Sequence, residues 1–434
     1  MHLLYSMALA LALVVSAPWW LVQMLRHGKY RAGLGERFGR VPRRLHREGG
    51  HTSWVHAVSV GEVLAISGVV QELRRRLPDR RMVVSTTTAT GQKLAREKFG
   101  EANVFYFPLD FAFAIRPYLR ALRPELVVVA ETEFWPNFLR EVRQSGARVA
   151  IVNARISDRS YPRYRLLRGL VRRALSGMDI FLAQSDEDAR RLREIGAPAE
   201  RVHVSGNLKF DVKPPATAPI VSKVRAAVAE SGAWPIVVAG STVDGEEAIV
   251  LEAFRQFQRS FPGALLVLAP RHPERFAAVA DLLHASGTTF RRRSQWNDEP
   301  LGAGVFLLDT IGELGALYAV ADMAFVGGSL VPRGGHNILE PALHGVPVIA
   351  GPYTENFRDI VSLFRSAGAL PVVKDAAELA AVLTDLANKR DVRELLAAQG
   401  KAIVQQHAGA TARTAAALAE LLAAADKSEE PARR

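Results

Sequence analysis

Residues 54–70 read "WVHAVSVGEVLAISGVV", an apolar run whose spacing changes in the middle. The first residues are apolar or β-branched in close succession, which is typical of a strand that is buried on both faces. After Ser59 the apolar residues recur at intervals of three and four, which is the spacing of a helix with one buried face. The stretch therefore predicts a buried strand that is followed directly by an amphipathic helix.

The same strand–helix unit recurs along most of the chain. The strand-like runs are "TSWVHAVS", "RMVVSTTT", "NVFYFP", "ELVVVAE", "RVAIVN" and "IFLAQS" in the first half, and "PIVVAGS", "ALLVLAP", "GVFLLDT", "MAFVGG" and "PVIAG" in the second. Buried strands that alternate with amphipathic helices form parallel sheets covered by helices on both faces. We therefore predict an α/β protein with two doubly wound, Rossmann-like domains.

A proline-rich segment separates the two halves. Three prolines lie within residues 213–219 and interrupt regular structure, so we predict a linker there. The linker divides residues 50–212 from residues 220–410, and each range is long enough for a complete domain. Residues 411–434 are predicted to form an alanine-rich helix and a disordered tail.

The N-terminus combines an apolar segment with a basic one. Residues 3–25 carry no charge and are long enough to cross a bilayer, so residues 1–25 are predicted to be a membrane anchor helix. A cleaved signal peptide is the alternative, but no Lys or Arg precedes the apolar run. Residues 26–49 are predicted to be a basic juxtamembrane segment on anionic head groups, which makes the globular part cytoplasmic. The bases of this segment are Arg26, Lys29, Arg31, Arg37, Arg40, Arg43, Arg44 and Arg47.

Charge and composition narrow the classes of function. The chain has 434 residues and a formal net charge of +12, which suggests an anionic partner. Nucleic acid, an acidic membrane surface and a phosphorylated substrate all meet that description. The chain contains no cysteine, which excludes disulfides, thiolate metal sites and thiol catalysis.

In the second half, polar residues follow two of the predicted strands. Arg271 and His272 come directly after "LVLAP", where Arg271 can hold a phosphate or a base edge, or instead balance Glu274 at the surface. Gly312 and Glu313 open the helix after "FLLDT", although the helix dipole alone also favours an acid there. Ligands of parallel sheets bind at the carboxyl ends of strands, and two such domains are expected to face one another across a cleft.

Residues 325–342, "FVGGSLVPRGGHNILEPA", place two glycine pairs around a loop that leads into a helix. Free N–H groups at the start of that helix can receive a phosphate. Asn337 and Glu340 are three residues apart and are predicted to share a face, on which Glu340 can accept hydrogen bonds from ribose hydroxyls. A glycine-rich turn capped by asparagine is the alternative. The glycine signatures of dehydrogenases and P-loop proteins do not occur.

The first half supplies candidate catalytic residues. Glu62 follows the first strand and is a candidate general base that takes a proton from an acceptor hydroxyl. Ser59 and Glu62 also form the S-x-x-E pattern of a capping box, and the two roles are compatible. Glu131 lies at the end of "ELVVVAE", whereas Glu133 is assigned to the following helix. Lys209 lies where the first domain meets the linker and is expected to face negative charge.

Asp186 and Asp188 have the D-x-D spacing of a metal-dependent glycosyltransferase site. They follow Ser185 and open a helix, so we interpret them as the acidic first turn of a capped helix. We therefore predict no metal site and no cofactor.

Six motifs in this order resemble one known family. They are "SVGE", "ETEFWPN", "GNLKFD", "PRHPERF", "IGEL" and "VGGSLVPRGGHNILEP", behind an N-terminal apolar segment. Over nearly its whole length the chain resembles the lipid A Kdo transferases, which are inverting glycosyltransferases of the two-domain GT-B fold. The resemblance implies transfer of 3-deoxy-D-manno-oct-2-ulosonic acid (Kdo) from CMP-Kdo to a lipid A precursor. It also implies a location on the cytoplasmic face of the bacterial inner membrane, and no nucleic acid partner.

The resemblance implies roles for individual residues. Glu62 matches the catalytic base, and Glu131 and Lys209 match residues that stabilise the transition state. The expected contacts to CMP are Pro270, Arg271, Ile311, Gly312, Glu313, Asn337, Ile338, Leu339 and Glu340.

Two alternatives and one departure from the family pattern remain open at this point. A sugar-nucleotide epimerase shares the fold but needs no membrane anchor, and a non-catalytic nucleotide-binding membrane module belongs to a different class. Val243 stands where relatives usually have histidine, so Ser241 and Thr242 are the expected substitutes in any phosphate contact.

Overall fold

Two compact units make up the chain, and each is built on one parallel sheet. The computed structural model describes residues 2–27, 32–46, 51–212 and 218–429. Most of the predicted linker and the end of the predicted tail, residues 213–217 and 430–434, lie outside the described residues. The first unit contains the chain up to Asp211 and again from Ala408, and the second runs from Val212 to His407.

The first unit has a sheet with the strand order β3-β2-β1-β4-β5-β6-β7. Its strands are β1 (His51–His56), β2 (Arg80–Thr86), β3 (Val104–Tyr106), β4 (Pro124–Ala130), β5 (Arg148–Ala154), β6 (Ile180–Ala183) and β7 (Val202–Val204). Its helices up to this point are α1 (His2–His27), α2 (Leu34–Arg37), α3 (Val60–Arg76), α4 (Ala89–Phe99), α5 (Ala112–Leu122), α6 (Pro136–Gln144), α7 (Tyr161–Leu166), α8 (Arg168–Leu175) and α9 (Asp186–Ile195).

The central strands of this sheet are buried on both faces, as the apolar runs predict. Along β4, Val127 and Val129 enter one apolar cluster, and Val128 enters a second cluster on the opposite face. In β1, Trp54 and Val55 divide between the same two clusters. This alternation places helices on both sides of the sheet and leaves its carboxyl edge for the loops that carry polar residues.

The second unit has a sheet with the strand order β10-β11-β9-β8-β12-β13, and its strand pairs are parallel. Its strands are β8 (Ile236–Thr242), β9 (Leu265–Pro270), β10 (Phe290–Arg292), β11 (Gly304–Leu307), β12 (Met323–Val326) and β13 (Val348–Ala350). Its helices are α10 (Pro219–Ser231), α11 (Glu247–Gln258), α12 (Phe276–Ala285), α13 (Leu314–Leu317), α14 (Leu339–Leu343), α15 (Arg358–Ser366), α16 (Ala376–Asn388) and α17 (Arg390–His407). The prediction of two doubly wound α/β units is confirmed.

The last helix, α18 (Ala410–Glu429), belongs to the first unit and packs against α3. Asp211 fixes the return of the chain, because its carboxylate accepts hydrogen bonds from the backbone N–H groups of Gly409, at 2.5 Å, and Thr411. Leu418 is fully buried in the core that α18 shares with α3. The segment after residue 410 therefore includes a structural helix of the first unit.

The basic segment after α1 is partly folded into the first unit. Leu45 is fully buried, and Arg44 donates hydrogen bonds to Glu36 Oε1 at 2.9 Å and to the carbonyl oxygen of Val104 at 3.0 Å. Arg37 lies over the ring of Tyr106. The globular unit thus holds both arginines through these contacts, and the basic juxtamembrane role of the segment stays a prediction. Residues 28–31 and 47–50 of this segment lie outside the described residues.

Candidate active-site residues in the two units

Glu62 lies in the first turn of α3, directly after the central strand β1, and its side chain is buried. Ser59 caps the helix, since its hydroxyl accepts from the backbone N–H of Glu62 at 3.4 Å and donates to Glu62 Oε1 at 2.9 Å. Glu62 Oε2 accepts a hydrogen bond from the backbone N–H of Val58 at 2.8 Å. The capping interpretation is confirmed, and the same contacts fix the carboxylate at the carboxyl edge of the sheet.

Glu62 belongs to a cluster of carboxylates. Burial raises the pKa of Glu62 from 4.5 to about 7; the hydrogen bond from Val58 opposes the shift, and the negative charge of Glu131 adds to it. Burial also raises the pKa of Glu133, with Glu131 again as the like-charged neighbour. Glu133 lies before α6 begins at Pro136. The assignment of Glu133 to the following helix is therefore wrong, and it joins Glu62 and Glu131.

Glu131 directly follows β4 and holds an unusual backbone conformation. Its φ is 56°, in the left-handed region, and its N–H donates to the carbonyl oxygen of Val152 at 2.9 Å. Such a conformation costs a non-glycine residue about 1–3 kcal/mol and persists only where the surroundings impose it. The hydrogen bond to Val152, in β5, supplies that constraint here.

Lys209 lies in a short 3-10 turn, Leu208–Phe210, that follows β7. The side chain of Asn207 accepts from the backbone N–H of Lys209 at 3.0 Å, and Asn153 Oδ1 accepts from the N–H of Leu208 at 3.0 Å. The turn packs against α3. The fold thus brings the turn that carries Lys209 to the helix that carries Glu62.

In the second unit, Asn337 precedes α14, so the prediction that it shares a helix face with Glu340 is wrong, but the two side chains are in contact. Asn337 Nδ2 donates to Glu340 Oε1 at 3.2 Å, while Asn337 Oδ1 accepts from the N–H of Leu339 at 3.1 Å. Burial raises the pKa of Glu340, and the Asn337 hydrogen bond and the charge of Arg271 oppose that shift. Burial, and then Arg271, lower the pKa of His336 to about 4. The exposed Arg271 therefore lies near both Glu340 and His336.

Three of the other residues that are expected to contact the nucleotide have buried side chains. Ile338 and Leu339 are 1% and 0% exposed, so their side chains belong to the core. Pro270 is the buried last residue of β9. The helix that follows Asn337, α14, has only five residues.

The backbone N–H groups beside the first glycine pair donate hydrogen bonds to a buried side chain of the protein. The fully buried Glu246 accepts hydrogen bonds from the N–H groups of Gly328, Ser329 and Leu330 at 2.7, 2.9 and 2.8 Å. At Gly327 a Cβ atom would lie 2.7 Å from Glu246 Oε2, so a side chain does not fit. Glu246 was missed from sequence because its partners lie 82 to 84 residues further along the chain. The acid pair in "STVDGEE" after a strand is the signal that was available.

The segment Ile311–Glu313 precedes α13, a helix of four residues. Arg293 donates to Glu313 Oε1 at 2.9 Å, and the hydroxyl of Thr310 donates to Glu313 Oε2. Ile311 is 68% exposed, and Gly312 has a φ of 90°. The carboxylate of Glu313 is thus occupied by the side chains of Arg293 and Thr310, and Ile311 and Gly312 form the accessible part of the segment.

The D-x-D acids lie in the first turn of α9, which Ser185 caps. Ser185 accepts from the backbone N–H of Asp188 at 3.1 Å, and Asp188 Oδ1 accepts from the N–H of Ile156 at 2.9 Å. Across the described ranges of the chain, no three His, Asp or Glu side chains group as a set of metal ligands. The helix-cap interpretation is confirmed.

Comparisons with known proteins identify relatives of the whole chain. Residues 32–212 match a family model described as 3-deoxy-D-manno-octulosonic-acid transferase (kdotransferase). The 3-deoxy-D-manno-octulosonic acid transferase of Bordetella pertussis is 37% identical over 430 residues, which cover 95% of this chain and 98% of the relative. The Haemophilus influenzae enzyme of the same name is 35% identical over 398 residues, covering 89% and 90%. Among solved structures, Anabaena HepE in complex with UDP is 15% identical with a TM-score of 0.54, covering 86% of this chain and all of that one, and it shows a shared fold.

Proposed function

The chain belongs to the 3-deoxy-D-manno-octulosonic acid (Kdo) transferase family, and from that premise we propose that it moves Kdo from CMP-Kdo to a lipid A precursor with inversion at the sugar. It is a glycosyltransferase of lipopolysaccharide biosynthesis. The observation that carries the finer proposal is the buried Glu62 carboxylate at the end of β1, whose pKa of about 7 suits a base that works near neutral pH.

Glu62 is the general base in a single displacement. Its ionised carboxylate takes the proton of the acceptor hydroxyl while that oxygen bonds to the anomeric carbon of Kdo. The bond from this carbon to the phosphate oxygen of CMP breaks, and CMP leaves with the electron pair. Attack and departure occur on opposite faces of the sugar, so the configuration inverts and no covalent sugar–protein intermediate forms.

Glu131 and Lys209 stabilise the transition state in this proposal. Glu131 raises the pKa of Glu62, so its negative charge makes Glu62 a stronger base. Positive charge that develops at the anomeric carbon is offset by the same carboxylate. Lys209, on the turn that packs against α3, offsets negative charge on the sugar carboxylate or the leaving phosphate.

CMP is held by groups of the second unit. Glu340 accepts hydrogen bonds from the ribose hydroxyls, and its bond to Asn337 orients its carboxylate. Arg271 is exposed at the end of β9 and supplies positive charge for the phosphate. The buried residues of the expected set contribute through their backbone groups; they are Pro270, Ile338 and Leu339. The accessible Ile311 and Gly312 face the cytosine ring of CMP. Glu313 positions that segment through its ion pair with Arg293.

The chain acts on the cytoplasmic face of the bacterial inner membrane in this proposal. The span Tyr5–Val22 within α1 has a mean hydropathy of 1.7 and is not buried in the protein, which supports a membrane anchor. Arg26, Arg40 and Arg43 are exposed and remain available to anionic head groups.

The test is a direct assay of transfer. The full-length protein is incubated with CMP-Kdo and a tetraacylated lipid A precursor, and the lipid is weighed by mass spectrometry. A mass increase of one or more Kdo residues is expected, and it should be lost in Glu62→Gln but kept in Glu72→Gln, a control at a half-buried acid of the same helix that pairs with Arg75 and Arg76. Free altered sugar without a lipid product would favour the epimerase, and CMP binding without turnover in the unaltered protein would favour the binding module.

A further inference from the structure

The helices α7 and α8 carry exposed leucines among exposed arginines. Leu166, Leu167 and Leu170 are 86%, 50% and 48% exposed. From Arg159 to Gly177 the sequence contains six arginines and no acid. We define the arginine–leucine face by these six residues: Arg165, Leu166, Leu167, Arg168, Leu170 and Arg172.

Neither helix formation nor packing explains this composition. A helix on a sheet normally turns its leucines inward, and in this segment Leu175 does so, with no exposed surface. Leu166 and Leu167 lie where α7 ends, and Leu170 lies in the first turn of α8, which begins at Arg168. Contiguous apolar surface of this kind usually marks an interaction site.

The charges around the leucines favour one partner. Leucines among long cationic side chains suit the boundary between head groups and acyl chains, where the leucines enter the apolar layer and the guanidinium groups reach back to the phosphates. A folded acidic protein or a nucleic acid would satisfy the arginines but would leave the leucines without an apolar environment. The chemistry of the face therefore fits an anionic lipid bilayer.

The position of the face within the first unit agrees with this partner. Helix α6 contacts both α8 and the apolar helix α1, and Asn137 Nδ2 of α6 donates to Ser6 Oγ of α1 at 2.9 Å. The helix α8, which carries part of the arginine–leucine face, thus shares the neighbour α6 with the candidate membrane helix. Both α6 and α7 start at the carboxyl edge of the sheet, where the loop after β4 carries Glu131.

We infer that the arginine–leucine face is a second membrane-docking surface, which inserts its leucines into an anionic bilayer beside α1. This docking holds the carboxyl edge of the first sheet at the lipid surface, so a lipid acceptor reaches the carboxylates without leaving the membrane. Only that consequence rests on the proposed function, and the docking itself does not.

The absence of cysteine allows a site-specific test in the full chain. Leu166→Cys is labelled with an environment-sensitive fluorophore and mixed with vesicles of phosphatidylcholine containing phosphatidylglycerol. Leu395→Cys is the matched control, because Leu395 is 58% exposed on α17 of the second unit. We expect a blue shift and quenching by lipid-attached nitroxides at position 166, and an aqueous spectrum at position 395. No substrate is present, so the result is independent of Kdo transfer.

Charge variants test the arginines. Adding Arg165→Gln, Arg168→Gln and Arg172→Gln together should raise the lipid concentration for half-maximal blue shift by about 10²-fold, since each base near an anionic surface contributes about a fivefold factor. The control removes three exposed bases of the second unit: Arg259, Arg365 and Lys401. The blue shift of the labelled Leu166→Cys protein should weaken as salt rises from 0.05 M to 0.5 M, because salt screens exposed charges.

Three results overturn the inference. One is an aqueous spectrum at position 166 while sedimentation shows the protein bound to the vesicles, because α1 alone would then hold it. Another is a blue shift without vesicles that grows with protein concentration, which assigns the face to contact between copies. The third is an equal response of the triple variant and its control, provided both give the circular dichroism spectrum of the unaltered protein.

Discussion

Replacing Glu62 by glutamine distinguishes its role in the helix cap from its proposed role as general base. The amide retains the cap, because its oxygen can accept from the Val58 N–H and its NH₂ group can donate to the Ser59 hydroxyl, in place of the bonds of 2.8 and 2.9 Å. The amide cannot take a proton. Turnover should therefore fall by about 10²-fold or more, which is the usual contribution of general base catalysis.

The same substitution should raise stability at alkaline pH. The folded-state pKa of Glu62, about 7, lies above its ordinary value of 4.5, so the stability contributed by the protonated carboxyl is complete below pH 4.5 and is lost as the pH rises through 7. That difference corresponds to about 3 kcal/mol of unfolding free energy at pH 8. Glutamine has no such loss, so Glu62→Gln should exceed the unaltered protein in stability at pH 8 and match it at pH 4.5.

The assay combines initial rates of lipid product with urea unfolding at both pH values. The unaltered protein and Glu72→Gln should lose kcat/KM about tenfold per pH unit below pH 7, because the base must be ionised. Turnover of Glu62→Gln within threefold of the unaltered rate, together with equal stability at pH 8, would refute the reasoning and leave Glu62 as a cap alone.

Further substitutions test the second unit and the N-terminal segment. Glu340→Ala should weaken CMP binding by about 1.5 to 3 kcal/mol through lost hydrogen bonds to the ribose, and unchanged affinity in calorimetry would contradict its role. Glu246→Gln places an NH₂ group against backbone donors such as the Gly328 N–H, so the unfolding free energy measured in thermal melts should fall by about 2 kcal/mol or more. An unchanged melting temperature would show that the hydrogen bonds of Glu246 to the backbone are dispensable for stability. Leu45→Ala should destabilise the first unit by about 2–5 kcal/mol in urea, and no loss would mean that residues 32–46 are not part of its core.

The sequence predicted the long buried strands and failed on the short exposed ones. Runs such as "ELVVVAE" contain enough consecutive apolar residues to indicate a strand without tertiary information. Strands β7 and β10 have three residues each, "VHV" and "FRR", and each of them has at least one exposed side chain. Their pairing depends on the edge of a sheet that already exists, and no local pattern encodes that.

Long-range contacts account for the other differences. The alanine-rich periodicity of α18 predicts a helix, but long-range contacts select its partner, among them the bonds of Asp211 to residues 198 and 200 positions later and the packing of Leu418 beside α3. The basic character of residues 26–49 was evident, but the burial of Leu45 between other elements was not. Glu62 and Glu131 could be proposed from sequence because each follows a strand, and Asn337 and Glu340 because they are three residues apart, close enough for the hydrogen bond that joins them.

The two buried carboxylates Glu62 and Glu246 occupy similar positions in the two sheets but differ in their hydrogen-bond partners. Each follows the first strand of its sheet, and burial raises the pKa of both. Glu246 accepts from four backbone N–H groups, two on each oxygen, the fourth being that of Val243 at 3.3 Å. A carboxylate has about four lone-pair sites, so Glu246 has none left for a ligand. Among the described residues Glu62 meets one backbone N–H and one hydroxyl, which leaves each of its oxygens a lone pair. A free lone pair is what a base needs to receive the proton of an acceptor hydroxyl. The number of donors around each acid, more than its burial, therefore favours a structural role for Glu246 and supports the proposed catalytic role of Glu62.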